Sequence, residues 1–118
     1  MTETKYKCRA VKLIKRELPD AFVYHPTDRW VSGIPDIFIL YKGVFAAVEL
    51  KVYRNTASKI QVVVLARIAK AGGLTWICRD SANEDGMAQI KAICSAIRMR
   101  AAVCEEQRQP KEASDGKK

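Results

Sequence analysis

Two apolar runs of strand length dominate the first half of the sequence, with one short polar break between them. Residues 37–40 form the first run, residues 44–48 form the second, and Tyr41-Lys42-Gly43 forms the break. Apolar runs of this length that flank a short glycine-containing segment are typical of a β-hairpin. Both faces of this hairpin are rich in apolar residues, so we expect a sheet that helices cover on both sides.

Three charged residues fall at the open end of the predicted hairpin. A two-residue loop at Lys42-Gly43 makes Asp36 the cross-strand partner of Glu49, with Cβ atoms about 4.5–5.5 Å apart. Lys51 projects from the same face as Glu49, because side-chain direction alternates along a strand. Two carboxylates this close are destabilising unless a proton or a cation lies between them. A slip of one residue in the register would place the acids on opposite faces, so the site depends on the turn.

These residue types suggest metal-assisted phosphate chemistry. Carboxylate oxygens from Asp36 and Glu49, with the backbone carbonyl of Leu50, suit Mg²⁺ or Mn²⁺. Such an ion polarises a phosphate and lowers the pKa of an attacking water, and Lys51 would stabilise charge on the phosphorus. The alternative is that the three residues are chance features of a strand end. Their apolar surroundings favour the catalytic interpretation, because unpaired charge there is costly.

Length and charge restrict the classes of protein to consider. A chain of 118 residues is expected to form one domain, and its net charge of +8 favours a polyanionic partner such as nucleic acid. No apolar run approaches the roughly 20 residues that span a bilayer, and the N-terminus lacks a signal-peptide pattern. We therefore expect a cytosolic protein that does not bind membranes.

The cysteine and histidine pattern argues against a zinc site. Cys8, Cys78, Cys94 and Cys104 show no CxxC spacing, and His25 is the single histidine. We predict reduced thiols that are mostly buried.

The rest of the chain predicts an α/β fold with a central mixed β-sheet flanked by helices. Helices are predicted over residues 3–18 and 58–71, strands over 21–25 and 74–78, and a last helix after a capping box at Ser81-Ala82-Asn83-Glu84. The succession of strand, helix and strand from residue 44 to 78 predicts a parallel pair. Residues 1–104 are assigned to one domain, and the polar residues 105–118 to a flexible tail.

Several residues outside the hairpin allow two interpretations. The predicted first helix carries a basic face, which is either ordinary solvated surface or a phosphate-contacting surface. Arg29 and Trp30 could contact a DNA phosphate and a base, although packing is the commoner role of a tryptophan. His25 could bind a phosphate or be structural.

Together, Gly33-Ile34-Pro35-Asp36-Ile37, Lys42-Gly43, Glu49-Leu50-Lys51 and Gln61 resemble the VRR-NUC domain family of the PD-(D/E)xK nucleases. The resemblance covers about residues 3–78 and is to small, stand-alone, bacteriophage-type members. It implies a PD-(D/E)xK nuclease core and Mg²⁺- or Mn²⁺-dependent DNA cleavage by an endonuclease. It also implies a homodimer that acts on branched DNA such as Holliday junctions, in the host cytoplasm if a phage encodes it.

The family pattern further implies a catalytic role for Gln61 beside Lys51. Ser58 and Gln61 also have the spacing of a capping box, so Gln61 could simply cap its helix. The family usually has another acid near the start of the first helix, where Glu3 is the nearest match and Glu17 a poorer one. Two alternative functions remain open: a less selective nickase or flap nuclease, and a non-catalytic basic DNA-binding module.

Overall fold

The structure, a computed structural model, describes residues 1–27 and 31–108. Arg29 and Trp30, with the contacts suggested for them, lie outside the described residues. The elements are α1 (Glu3–Glu17), β1 (Phe22–Tyr24), β2 (Ile37–Tyr41), β3 (Val44–Val52), α2 (Lys59–Lys70), β4 (Leu74–Asp80) and α3 (Gly86–Arg108).

The hairpin formed by β2 and β3 has the predicted two-residue loop. Its register runs from Tyr41 opposite Val44 to Ile37 opposite Val48. Lys42 and Gly43 both have positive φ, 48° and 86°. Positive φ at both loop positions is the requirement of the type I′ turn, whose twist matches that of the flanking strands. This turn fixes the register and places Asp36, the residue before β2, next to the position of Glu49.

The sheet is mixed, as predicted, with the strand order β1-β2-β3-β4. The pairs β1–β2 and β2–β3 are antiparallel, and β3 and β4 are parallel. Strands β3 and β4 can be parallel because α2 carries the chain back to the end of the sheet at which β3 begins.

The main core lies between one face of the sheet and the helices α1 and α3. Tyr6, Ile14, Ile39, Leu50 and Ile97 are among its fully buried side chains. The apolar stripes that the sequence predicts on α1 and α3 are therefore the faces that these helices bury against the sheet.

The opposite face of the sheet is covered only in part. α2 packs there, and its Ile68 approaches Phe45 of β3 around Gly73. Leu40 and Phe45 nevertheless remain 46% and 41% exposed. The expectation of full cover on both faces is wrong for β1 and β2, because α2 does not extend over them.

The start of α3 also differs from the sequence prediction. Ser81 and Glu84 form a small bridge through their backbones, and Asn83 donates its amide hydrogen to Ser81 Oγ. The helix begins at Gly86, where Asp85 Oδ1 accepts hydrogen bonds from the amides of Met87 and Ala88. The prediction that Ser81 caps this helix is therefore wrong, and the capping acceptor is Asp85.

The end of α3 lies four residues beyond the predicted domain boundary at residue 104. The helix includes residues 105–108, which the sequence pattern had assigned to the polar tail. Residues 109–118 lie outside the described part of the chain. Across the ranges 1–27 and 31–108, no helix combines the length and apolar character that crossing a bilayer requires.

Candidate active site

The predicted site residues lie at the end of the sheet where β3 and β4 finish and β2 begins. Helix α2 starts shortly after β3, and α3 starts shortly after β4, where the Gly86 amide donates to Asp80 Oδ1 at 2.9 Å. The N-terminus of α1 reaches the same end, because the amino group of Met1 donates to the hydroxyl of Tyr53 at 3.1 Å. Three helix N-termini, with their partial positive charge, therefore surround the ends of these strands.

Asp36 is fixed against the backbone of β3. The amide of Leu50 donates a hydrogen bond to Asp36 Oδ2 at 2.8 Å. The ladder between β2 and β3 ends at Ile37 and Val48, so this side chain takes the place of the next strand partner. The turn at Lys42-Gly43 therefore determines where the Asp36 carboxylate lies.

Glu49 and Lys51 form a buried ion pair on β3. Lys51 Nζ lies 3.2 Å from Glu49 Oε2, and the two residues are 9% and 2% exposed. Their common side of the strand follows from the alternation predicted for this segment. The structure thus brings Lys51 and Glu49 together, with Asp36 beside them.

Burial strongly affects the ionisation of Glu49. Burial away from solvent is the main cause that raises the pKa of Glu49 to about 7, and the negative charge of Asp36 is the second. The contact with Lys51 lowers this pKa, but by less. Within the described residues, Glu49 Oε1 is a buried oxygen that lacks a hydrogen-bond partner. A buried polar atom without a partner is uncommon and often marks a position for an ion, a water or a reacting group.

Additional acids are scarce around this pair. In the described ranges, no group of three or more His, Cys, Asp or Glu residues is arranged to hold a metal ion. Glu3 is close enough for its charge to raise the pKa of Glu49, but it is the weakest of the contributors. Any ion at this site would therefore rely on two carboxylates together with backbone or water oxygens.

Gln61 acts as a helix cap. Its Oε1 accepts a hydrogen bond from the Ser58 amide at 2.9 Å, and its own amide donates to Ser58 Oγ at 3.3 Å. These two bonds complete the capping box that the sequence suggested. The catalytic role of Gln61 stays a prediction, because these bonds explain its presence without one.

Arg79 is a residue beside the site that the sequence pattern did not single out. It pairs with Lys51 across the parallel strands β3 and β4. Its guanidinium donates to the carbonyls of Tyr53 and Asn55, and it lies 3.6 Å from Glu84. Arg79 therefore holds the segment between β3 and α2. The sequence alone does not place it beside Lys51, because that neighbourhood follows from the register of β3 and β4.

A cleft of about 470 Å³ opens next to Asp36. Its walls come from the first turns of α1 and from the segment before β2, with Glu3, Lys7, Ser32 and Pro35 among them. Gly33, with φ of 80°, packs this segment on α2, since a Cβ atom there would lie 2.9 Å from the carbonyl oxygen of Ile60. His25 is exposed just beyond β1, and its suggested phosphate contact stays a prediction.

Solved structures share this fold at low sequence identity. One, described as a VRR_NUC domain, has a TM-score of 0.58 and 20% identity over 76% of this chain and 95% of the other. A second, a VRR_NUC domain protein, has a TM-score of 0.63 and 18% identity over 82% and 88%.

A third similar structure is Archaeoglobus fulgidus Hjc, a Holliday junction resolvase from an archaeal hyperthermophile. Its TM-score is 0.53, with 15% identity over 68% of each chain. No family model and no curated protein matched the sequence. The resemblance to VRR-NUC domains is confirmed at the level of the fold, an α/β fold with a mixed four-stranded sheet flanked by helices.

Proposed function

We propose that this chain is a metal-dependent endodeoxyribonuclease that hydrolyses phosphodiester bonds, as a member of the VRR-NUC family. The observation that carries the proposal is the buried Glu49, whose Oε2 contacts Lys51 while Oε1 lacks a partner among the described residues. A divalent cation would compensate the cost of this buried charge beside Asp36. The shared fold with VRR_NUC structures supports the same function.

Asp36, Glu49 and the backbone carbonyl of Leu50 are the proposed ligands of Mg²⁺ or Mn²⁺. These ions take oxygen ligands and retain waters, so two carboxylates can suffice. The Leu50 amide points to Asp36, and the carbonyl of an extended residue points to the same side as its amide. A bound ion would lower the pKa of a water molecule and offset the charge of the phosphate.

Lys51 is the proposed electrostatic catalyst. Its ammonium group is nearly excluded from solvent, where its attraction for phosphate oxygens is stronger than in water. Glu49 keeps this group in place at 3.2 Å. Gln61 is a proposed accessory residue, because its helix begins shortly after β3 and its side-chain NH₂ group can still donate once Oε1 accepts from Ser58.

Branched DNA such as a Holliday junction is the proposed substrate. The fold shared with the archaeal resolvase supports this choice, as does the net charge of +8. One chain provides one set of candidate catalytic residues, whereas resolution of a junction needs two cuts. A symmetric homodimer would provide both cuts.

A substrate panel tests this function. The wild-type chain is incubated with a four-way junction, a flap, a linear duplex and single-stranded DNA, in Mg²⁺, in Mn²⁺ and in EDTA. We expect cleavage of the junction with either ion and none in EDTA. The Lys51→Ala variant should lose cleavage, while Lys70→Ala, which removes an exposed lysine at the end of α2, should retain it.

Each other result has a defined meaning. Equal rates on all substrates would indicate a general nickase and not a junction-selective enzyme. Preference for the flap would indicate a flap nuclease. Salt-sensitive DNA binding without metal-dependent products would indicate a non-catalytic binding module. Full activity of Lys51→Ala would contradict the assignment of the active site.

A further inference from the structure

Helix α1 carries a continuous basic stripe. Lys5, Arg9, Lys12 and Arg16 follow one another at spacings of four, three and four residues, which places them on one side of the helix. All four side chains are exposed. The apolar residues of α1 are buried on its other side, so this stripe lies outside the core.

The stripe borders a groove of about 500 Å³ between α1 and α3. Arg9, Lys12 and Arg16 line one side, and Lys91 lies on the other, beside Met87 and Ala88. Four cationic side chains therefore face one concave surface.

Little negative charge opposes these cations. Arg16 lies 4.0 Å from Glu17, while no described acid forms an ion pair with Arg9, Lys12 or Lys91. Asp85 also borders the groove, but its Oδ1 already accepts hydrogen bonds from two amides of α3. Unneutralised cations side by side repel one another, and a polyanion relieves this repulsion.

The dimensions of the groove suit a nucleic-acid backbone. From Arg9 to Arg16, α1 rises by about 10 Å, the axial length of about three phosphates on one strand of DNA. The groove is separate from the cleft beside Asp36, because the two share no lining residue and Lys7, which lines that cleft, lies on the opposite side of α1 from Arg9. The two surfaces are one helix diameter apart, about 10 Å.

We propose that the α1–α3 groove is a second DNA-binding surface, which contacts the phosphate backbone of an arm other than the one cut beside Asp36. This inference rests on the proposed function, since a second arm exists only in branched DNA. Substrate selectivity then arises from two separate contacts that a linear duplex cannot make together.

Binding measurements in EDTA test the groove without cleavage. Fluorescence anisotropy compares the wild type, Arg9→Ala/Lys12→Ala and the control Arg67→Ala/Lys70→Ala, which removes the same charges from the last turn of α2. We expect the groove variant to bind a four-way junction about tenfold more weakly at about 0.1 M salt, with a salt slope smaller by about two. Its affinity for a linear duplex, and both affinities of the control, should change less than about threefold.

Three results would overturn the inference: unchanged junction binding by the groove variant, an equal loss on junction and duplex, or an equal loss in the control. These results are independent of the proposed catalysis. If the wild type cleaves nothing in Mg²⁺ but the groove variant loses junction affinity as expected, the groove proposal stands and the nuclease proposal fails. If cleavage needs Lys51 but the groove variant binds the junction as tightly as the wild type, only the groove proposal fails.

Discussion

At the residue scale, the molecule is unusual for the charge that it buries. Glu49 is 2% exposed, faces the charge of Asp36 and has a pKa raised to about 7. The sequence predicted this conflict, because the turn at Lys42-Gly43 forces the two acids into proximity. It could not predict that Oε1 would lack a hydrogen-bond partner within residues 1–27 and 31–108, since that depends on how closely the helices pack around the strand ends.

The raised pKa of Glu49 predicts how stability depends on pH without metal. The folded chain holds this proton more tightly than the unfolded chain, in which the pKa returns to about 4.5. Metal-free stability should therefore decrease as the pH rises from about 4.5 to about 7. Thermal unfolding in EDTA across this range measures the effect in the wild type and in Glu49→Gln.

The Glu49→Gln variant should lose most of this dependence, because it has no proton to release at that position. Its melting temperature relative to the wild type should rise with pH. A constant difference between the two proteins from pH 4.5 to pH 7 would contradict the raised pKa of Glu49.

The thiols provide a second prediction at the residue scale. Burial raises the pKa of Cys78 and of Cys94 to about 11, whereas Cys8 is exposed and Cys104 half-buried. Only a thiolate reacts quickly, so Cys8 should be labelled first and Cys78 and Cys94 only after unfolding. Mass spectrometry after timed alkylation measures this order, and early labelling of Cys94 would contradict the packing of α3.

At the element scale, the parts closest to the hairpin were the most predictable. A two-residue turn, alternating side chains and a crossover helix follow from local rules, so β2, β3, α2 and β4 agree with the sequence. The start of α3 was not predictable by the same rules. Ser81-Ala82-Asn83-Glu84 fits a capping box, but these residues form a turn after β4, and Asp85 provides the cap.

Contact between α1 and the start of α3 gives a prediction at this scale. Tyr6 is fully buried and donates its hydroxyl to the Gly86 carbonyl at 3.1 Å. A Cβ atom at Gly86 would lie 2.6 Å from the Tyr6 hydroxyl oxygen and 2.7 Å from Asp80 Cβ. Gly86→Ala should therefore lower the free energy of unfolding by about 1–3 kcal/mol in denaturant titrations.

A double-mutant cycle distinguishes this clash from a general effect of alanine. Tyr6→Phe alone should cost about 1 kcal/mol through the lost hydrogen bond. In the double variant, the missing hydroxyl removes one of the two Tyr6 atoms that a Cβ atom at Gly86 would approach, so its cost should be less than the sum of the single costs. Strict additivity would show that Gly86 and Tyr6 do not interact in this way.

At the scale of the whole molecule, the partly uncovered sheet face is the feature to explain. Phe22, Tyr24, Leu40 and Phe45 lie on one side of β1, β2 and β3, and each is at least 41% exposed. An exposed apolar patch of this kind often marks a protein interface. It supports the proposed homodimer, and the sequence could not reveal it because the apolar pattern of the strands predicted full burial.

The dimer prediction uses one charge inserted into that face. Light scattering after size-exclusion chromatography should give a dimer for the wild type and a monomer for Leu40→Glu. Val103→Glu, which changes an exposed apolar residue of α3, should remain dimeric. A monomeric wild type, or a dimeric Leu40→Glu, would contradict the proposed interface.

The central claim is that Glu49 and Asp36 form a metal-dependent site that cuts DNA. It is tested most directly by the cleavage rate of a labelled four-way junction in Mg²⁺, for the wild type, Glu49→Gln and the exposed control Glu105→Gln. We predict cleavage by the wild type and the control, a loss of at least about 100-fold in Glu49→Gln, and none in EDTA. Wild-type rates for Glu49→Gln, or cleavage that persists in EDTA, would contradict the claim.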